Sequence, residues 1–313
     1  MICKWNWLIK AIYKNTKDAP MTSSETSIDP QWLELMYNNR ARVLDHQSHL
    51  SRWAEGSKAA RQTQTCQLDV AYGAHPTEKL DIFTPLPRQD AETSAGAPVL
   101  VFIHGGYWCA LDKADHSFIA PAFTAAGVCV VVPNYALCPA VTIGDITRQM
   151  TNALIWTRRN IVRFGGDPNR ITVAGHSAGG HLVGMLMTQQ WQALGADLPA
   201  LLVKNGLSIS GLYDLEPIRL TPFLKNSLQL TPEQVQQQSP ALLPSPSQGM
   251  LYSVAGGDES AEFLRQNLLI EQAWGQQRVP VCEVLPDLNH FSVLEALTTP
   301  GHRLHQLALE LLG

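Results

Sequence analysis

Short apolar runs alternate with longer amphipathic stretches through most of the chain. Residues 98–103 and 127–132 are continuous apolar runs, which are typical of parallel strands buried on both faces. Residues 66–72 and 80–83 alternate between apolar and polar side chains, which is typical of antiparallel strands at a sheet edge. Residues 145–164 have helical periodicity. Further strands are predicted at 171–174, 201–210, 250–255 and 279–285. The pattern therefore predicts an α/β fold with a mostly parallel central sheet and helices on both faces.

The remaining segments divide into a lead-in and two insertions. Residues 1–28 are expected to be poorly ordered or peripheral, with either Met1 or Met21 as the biological start. Residues 29–313 are predicted to form one domain, with helical cap elements from 29–60 and 211–248. The second insertion contains a Gln-rich stretch, which fits a solvated helix face or a disordered segment.

Composition limits the partners. The 313 residues carry a net charge of −4, only 16% are charged, and no basic run occurs, which argues against nucleic-acid binding. No apolar stretch reaches the length of a membrane span. The six cysteines lack the spacing of a disulfide framework, so the cytoplasm is the expected location. A small-molecule substrate is the expected partner, and a homodimer is left open.

The chemistry begins with a G-x-S-x-G pattern. Gly175-His176-Ser177-Ala178-Gly179 follows an apolar run and precedes a helical segment. This strand, turn and helix arrangement is typical of a nucleophile elbow, in which the serine hydroxyl projects above the sheet edge. Ser177 is therefore the candidate nucleophile, although the pattern also fits an ordinary turn rich in small residues.

A glycine pair supplies the second part. The buried run at 98–103 leads directly into His104-Gly105-Gly106-Tyr107-Trp108. Glycines after a buried strand let backbone N–H groups approach a ligand closely. Such a loop, with the residue after the nucleophile, can bind the oxyanion of a tetrahedral intermediate. The candidate donors are Gly106, Tyr107 and Ala178.

An acid and a histidine follow in chain order. Asp258 comes after the predicted strand at 250–255, and His290 lies on a loop before the C-terminal helix. A serine hydroxyl is a weak nucleophile, so a histidine must take its proton, and a carboxylate must orient that histidine. We expect Ser177, Asp258 and His290 to form a catalytic triad. Asp287 and Glu259 are the rival acids, Glu259 being more easily explained as charge in a first helical turn.

Together these motifs resemble the α/β-hydrolase superfamily over nearly all of the chain after Asp29. Within it the chain looks most like kynurenine formamidases and the related hormone-sensitive-lipase-like esterases. The likeness lies in residues 104–108, 175–182, 210–217 and 289–291. In the lipase-like esterases a third glycine follows the pair, whereas in this chain Tyr107 stands there, followed by Trp108, which is more typical of the formamidase branch. The resemblance implies the same triad and oxyanion donors, and hydrolysis of N-formylkynurenine in tryptophan catabolism.

Substrate selection is less specified by the sequence. An aryl formamide needs a tight acyl pocket and aromatic surface for its leaving group. The candidate lining residues are Tyr107, Trp108, Tyr135, Tyr213 and Phe223, each of which also fits simple packing. A carboxylesterase for short-chain or aryl esters is the alternative. No His-Glu-x-x-His or Cys-x-x-Cys spacing occurs, so neither a metal nor a cofactor is expected.

Overall fold

The computed structural model describes residues 29–85 and 96–313. Within them the chain forms one eight-stranded sheet in the order β1-β2-β4-β3-β5-β6-β7-β8. The strands are β1 Cys66–Ala71, β2 Lys79–Phe83, β3 Ala97–Ile103, β4 Cys129–Pro133, β5 Gly166–His176, β6 Asn205–Ile209, β7 Met250–Gly256 and β8 Val281–Leu285. Strand β2 pairs antiparallel with β1 and β4, and the other neighbours are parallel. The prediction of a mostly parallel sheet with an antiparallel edge is confirmed.

Helices cover both faces of this sheet. In chain order they are α1 Pro30–Tyr37, α2 Asn39–Arg42, α3 His46–Thr63, α4 Ala120–Ala125, α5 Ile143–Asn160, α6 Ala178–Met187, α7 Trp191–Leu194, α8 Glu216–Leu220, α9 Pro222–Leu228, α10 Pro232–Gln238, α11 Ala261–Trp274, α12 Ser292–Leu297 and α13 Arg303–Leu312. Short 3₁₀ turns stand at Lys113–Asp115, Ser117–Ile119, Ile161–Phe164 and Pro240–Leu242.

The central strands are apolar throughout because both of their faces are covered. Successive side chains of a strand point to opposite faces. In β3, Val99 and Val101 belong to the core beneath α5 and α6, whereas Leu100 and Phe102 belong to the core beneath α4 and α13. All four are at most 1% exposed. The two cores pack against both faces of the sheet. The sheet in turn anchors the loops at its carboxyl edge.

Local signals set the ends of several helices. Asp29 caps α1, because its side chain accepts from the Gln31 amide at 2.9 Å and Pro30 takes the first helical position. Thr231 and Gln234 form a capping box at the start of α10, so the Gln-rich stretch is helical. The sequence left helix and disorder open there.

The two segments expected to form a cap lie partly against each other. Helix α1 contacts α8, α9 and α11, whereas α3 packs on the 3₁₀ turns at 113–119. Helix α1 therefore meets the 211–248 segment. The lead-in expected at residues 1–28 lies outside the described residues, as does most of the loop expected between 84 and 98.

Candidate active site

Ser177 stands in a strained turn between β5 and α6. Its φ of 57° and ψ of −117° lie in a region that side-chain-bearing residues rarely occupy. The Ser177 amide donates to the carbonyl of Ile209 in β6 at 2.8 Å, which ties the turn to the neighbouring strand. The turn projects the residue from the carboxyl edge of the sheet, as an elbow requires.

Glycines on either side of Ser177 let three backbone segments approach closely. A Cβ at Gly175 would stand 2.3 Å from the carbonyl oxygen of Gly179, and a Cβ at Gly179 would stand 2.0 Å from that of Ile103. Neither position can hold a side chain without moving the backbone. The G-x-S-x-G spacing is therefore explained by packing of β5, α6 and the end of β3.

His290 and Glu259 form a buried pair near the elbow. His290 Nδ1 lies 2.6 Å from Glu259 Oε2, and both residues are less than 8% exposed. An ionised carboxylate can only accept, so Nδ1–H donates and Nε2 keeps a free lone pair. The other oxygen, Oε1, accepts from the Ser210 hydroxyl at 2.5 Å and the Gly256 amide at 2.7 Å. Three donors thus fix the carboxylate, and the carboxylate fixes the imidazole tautomer.

This geometry corrects the expectation that Asp258 is the acid. Asp258 is exposed and forms no hydrogen bond or ion pair with His290 in the described structure. Its neighbour Glu259 is buried and pairs with His290. The turn after β7 explains the difference, because the Glu259 amide closes back onto the Gly256 carbonyl at 3.2 Å and turns that side chain inward. The other rival acid, Asp287, is also exposed.

One signal in the sequence could have found Glu259. Ser260 caps α11 by accepting from the Phe263 amide, so the helix begins only at Ala261. Glu259 therefore precedes the cap and cannot be a charge in the first turn. A good N-cap residue directly after an acid was the informative feature.

The elbow and the histidine loop meet through His176. Its Nε2 lies 2.9 Å from the carbonyl oxygen of His290, and the two ring centroids are 4.7 Å apart. Ser177 is the next residue along the chain. The hydrogen bonds of the described residues do not include one between Ser177 Oγ and His290, and such contacts often tighten only when substrate binds.

The predicted oxyanion loop lies against the elbow. A Cβ at Gly105 would stand 2.8 Å from the carbonyl oxygen of His176 and 3.1 Å from the Ser177 Cβ. Gly106 has a φ of +102°, and a Cβ there would stand 2.2 Å from the Ala110 carbonyl oxygen, so only glycine fits. Tyr107 follows in the left-handed region at a φ of 49°. The loop is thus folded tightly next to the candidate nucleophile.

The three candidate donors keep their amides free of internal partners. Within residues 29–85 and 96–313, the amides of Gly106, Tyr107 and Ala178 donate no hydrogen bond to another protein group. Ala178 is the first residue of α6, where the helix itself offers no acceptor. Free amides beside a serine are what an oxyanion requires, and the start of α6 adds a favourable dipole.

Buried aromatic and polar groups support this loop from behind. The Tyr135 ring stacks on His104 at a centroid distance of 4.2 Å, and its hydroxyl donates to the His104 carbonyl at 2.9 Å. His104 Nε2 lies 3.1 Å from the Asn134 side-chain oxygen. Burial lowers the pKa of His104, which keeps the ring neutral and hydrogen-bonded.

The aromatic residues expected to line a substrate pocket divide into two groups. Trp108, Tyr135 and Tyr213 are at most 1% exposed, which corrects the expectation that they form an accessible wall. The Tyr213 hydroxyl, for example, is hydrogen-bonded to the hydroxyls of Ser208 and Ser253, at 2.6 and 2.8 Å. These three rings support the site from within the core.

Tyr107 and Phe223 remain at the surface of the site. The two rings meet edge to face with centroids 5.8 Å apart, and Phe223 is 38% exposed. The Tyr107 hydroxyl donates to the Tyr37 carbonyl at the end of α1, at 2.7 Å. Phe223 also lines a groove between α1 and α9 with Gln31, Glu34, Leu35 and Pro222. An aromatic surface therefore extends from the oxyanion loop to the outside.

The described residues hold neither a cluster of metal ligands nor a membrane-spanning helix. No group of three or more His, Cys, Asp or Glu side chains there is arranged to hold a metal ion. None of the helices in that part of the chain combines the length and the hydropathy needed to cross a bilayer.

Comparisons with known proteins point in one direction. A family model described as "Carboxylesterase family" matches residues 48–212. The kynurenine formamidase of Salmo salar is 29% identical over 276 residues, covering 85% of this chain and 88% of that protein. Esterase LipC of Mycobacterium tuberculosis is 35% identical over a shorter stretch of 159 residues, which is 49% of this chain and 38% of LipC.

A solved structure supports the same fold. A protein from Silicibacter sp. tm1040, provisionally described as a thioesterase, superimposes with a TM-score of 0.75 at 28% identity. The match covers 87% of this chain and 97% of that one. The resemblance to α/β hydrolases and to kynurenine formamidases, inferred from the motifs, is confirmed by these comparisons.

Proposed function

This chain belongs to the carboxylesterase family, and on that premise we propose that it is a serine hydrolase that cleaves an aryl formamide of the N-formylkynurenine type. The family and the formamidase relatives support the coarser statement that it hydrolyses small acyl substrates. The observation that carries the serine hydrolase mechanism is the buried Glu259–His290 pair next to the strained Ser177 turn.

In the proposed reaction Ser177 Oγ attacks the acyl carbon while His290 Nε2 takes the hydroxyl proton. The carbonyl oxygen becomes an oxyanion, which the amides of Gly106, Tyr107 and Ala178 bind. His290 then gives its proton to the leaving nitrogen, and the amine departs from a formyl-enzyme. Water repeats the attack with His290 as base, releasing formate and free Ser177. Glu259 stabilises the imidazolium in both steps and stays ionised.

Two features favour an aromatic leaving group. Tyr107 and Phe223 offer ring faces and edges next to the candidate oxyanion donors, and aromatic pairs of this kind contribute about 0.5–1.5 kcal/mol beyond simple burial. The formamidase relatives cover most of the chain, whereas the esterase relative covers about half. By extension we assign the protein to cytoplasmic tryptophan catabolism.

A carboxylesterase for short-chain or aryl esters is the second candidate, favoured by the family description and by the LipC match. The experiment compares kcat/KM for N-formylkynurenine and p-nitrophenyl acetate, with Ser177→Ala as the control. We expect the formamide to be the better substrate. An ester that is better by orders of magnitude contradicts the formamidase proposal and leaves the serine hydrolase intact.

A further inference from the structure

The mechanism above leaves His176 without a role, although it stands directly before the candidate nucleophile. Its side chain is 4% exposed and lies between three parts of the site. Nε2 contacts the His290 carbonyl oxygen at 2.9 Å, and the ring meets Trp53 of α3 edge to face at 6.2 Å. Its own carbonyl lies where Gly105 packs on the elbow.

The contact with His290 fixes the protonation of the His176 ring. A carbonyl oxygen only accepts, so Nε2 must carry the hydrogen. Burial, with a smaller contribution from His290, holds the pKa of His176 well below its ordinary value. The ring is therefore a neutral hydrogen-bond donor to the His290 carbonyl.

We infer that His176 is a positioning residue that holds the backbone of His290 at the distance from Ser177 that proton transfer requires. His290 lies on the six-residue loop between β8 and α12. Glu259 fixes the His290 side chain at Nδ1, and His176 fixes its backbone at the carbonyl. Because His176 and Ser177 are consecutive, one hydrogen bond couples the base to the nucleophile. The inference rests on the proposed serine hydrolase mechanism.

The chain offers a matched control in His181. This residue is also fully buried, and its Nε2 lies 2.7 Å from a backbone carbonyl, that of Gln238 in the 211–248 segment. Burial lowers its pKa to about 4. His181 thus has the same chemistry but does not bond to His290. Its substitution reports what any buried neutral histidine contributes to folding.

The test uses variants of His176 whose amide nitrogen lies at different distances from the backbone. His176→Gln places an amide nitrogen near the position of Nε2, whereas His176→Asn places it near Nδ1, short of the His290 carbonyl. His181→Asn is the control. On the full-length protein we expect His176→Asn to lower kcat for p-nitrophenyl acetate about 30-fold with KM within about threefold, since misplacement by about 1 Å costs up to about 10²-fold. His176→Gln should recover to within about fivefold, and His181→Asn should stay within about threefold.

A second readout needs no turnover. In protein with ¹⁵N-labelled histidine, the His290 Nδ1–H proton bonded to Glu259 reports the order of the imidazole. We expect this signal to broaden or vanish in His176→Asn, and to persist in His176→Gln and His181→Asn. If His176→Asn does not fold, His176→Phe, which keeps a ring but cannot donate, takes its place.

The outcomes distinguish failure of the serine hydrolase mechanism from failure of the positioning role of His176. If the wild-type protein neither hydrolyses the ester nor reacts with a fluorophosphonate, the serine hydrolase mechanism fails, whatever the NMR signal shows. If the wild type is active but the non-donating His176 variant matches His181→Asn in kcat and keeps the Nδ1–H signal, the positioning role is overturned. Failure of His176→Gln to recover activity also contradicts it.

Discussion

Glu259 and Asp258 are adjacent carboxylates with opposite surroundings. Glu259 is 7% exposed and holds three hydrogen bonds, whereas Asp258 is exposed to solvent. Only the buried one can fix the imidazole of His290, because an orienting hydrogen bond must not compete with water. A single inward turn of the chain therefore decides which acid reaches His290.

The two adjacent carboxylates give the first prediction. We expect Glu259→Gln to lower kcat/KM by about 10³-fold or more, because the amide no longer selects the tautomer with a free Nε2. Asp258→Asn should stay within about threefold of the wild type. Steady-state kinetics of the two variants on the preferred substrate check this. Equal losses, or a larger loss in Asp258→Asn, would return the role to Asp258.

The hydrogen bond that ties the candidate oxyanion loop to α1 gives a second prediction. The Tyr107 hydroxyl donates to the Tyr37 carbonyl at 2.7 Å, and Tyr107→Phe removes that bond while keeping the backbone amide and the ring. We expect a loss of about 1 kcal/mol in the free energy of unfolding, together with a several-fold lower kcat. Urea unfolding and steady-state kinetics measure both. An unchanged kcat would show that the loop keeps its conformation without the Tyr107–Tyr37 hydrogen bond.

At the scale of single elements, the strand, turn and helix around Ser177 were predictable, and the acid was predictable only in part. The elbow has a fixed local spacing, with Gly175 and Gly179 required by backbone contacts. The Ser260 cap indicates that Glu259 precedes α11, but its inward direction depends on how the chain turns after β7. Likewise, the burial of Tyr213 and Tyr135 depends on neighbours far along the chain, and side-chain type alone could not distinguish them from Tyr107.

The elbow should store strain that a glycine relieves. Ser177, at a φ of 57° and a ψ of −117°, occupies a backbone region that only glycine adopts without steric strain. Ser177→Gly and Ser177→Ala should both abolish turnover. We expect the glycine variant to be more stable than the alanine variant by about 1 kcal/mol, as measured by chemical denaturation. An alanine variant of equal or greater stability would mean that the turn is unstrained.

At the scale of the whole molecule, a charge network centred on the buried Lys113–Asp81 pair connects the sheet edge to the candidate oxyanion loop. Lys113 is 3% exposed and its Nζ bonds Asp81 at 2.7 Å and Asp69 at 2.9 Å. Asp81 also accepts from Arg61 at 2.7 Å. The Lys113 amide lies 3.2 Å from the Asn134 oxygen that also contacts His104. The two antiparallel strands thereby support the sheet edge that carries the candidate site.

Breaking this network should cost far more than breaking a surface pair. We expect Lys113→Met to lower the free energy of unfolding by about 3 kcal/mol, because it leaves the buried Asp81 carboxylate short of one cation. Arg148→Met is the control, since Arg148 pairs with Asp145 on an exposed face and should cost less than about 1 kcal/mol. Similar costs in the two variants would contradict the structural role of Lys113.

Buried neutral histidines should make the protein sensitive to acid. Burial lowers the pKa of His181 to about 4 and that of His116 to about 3. The unfolded chain binds these protons near pH 6.5, so stability is complete above that pH and falls progressively as the pH decreases towards 4. We expect His181→Gln to reduce the slope of unfolding free energy against pH by about 1 kcal/mol per unit between pH 6 and 5. An unchanged slope would mean that His181 is protonated in the native state.

The central claim is that one serine of this chain attacks acyl groups with help from His290. Intact-mass and peptide mass spectrometry after reaction with a fluorophosphonate tests it most directly. The account predicts one adduct on Ser177, none in Ser177→Ala, and very slow labelling in His290→Ala. Labelling that persists in Ser177→Ala, or a folded wild-type protein that takes up no label, would contradict it.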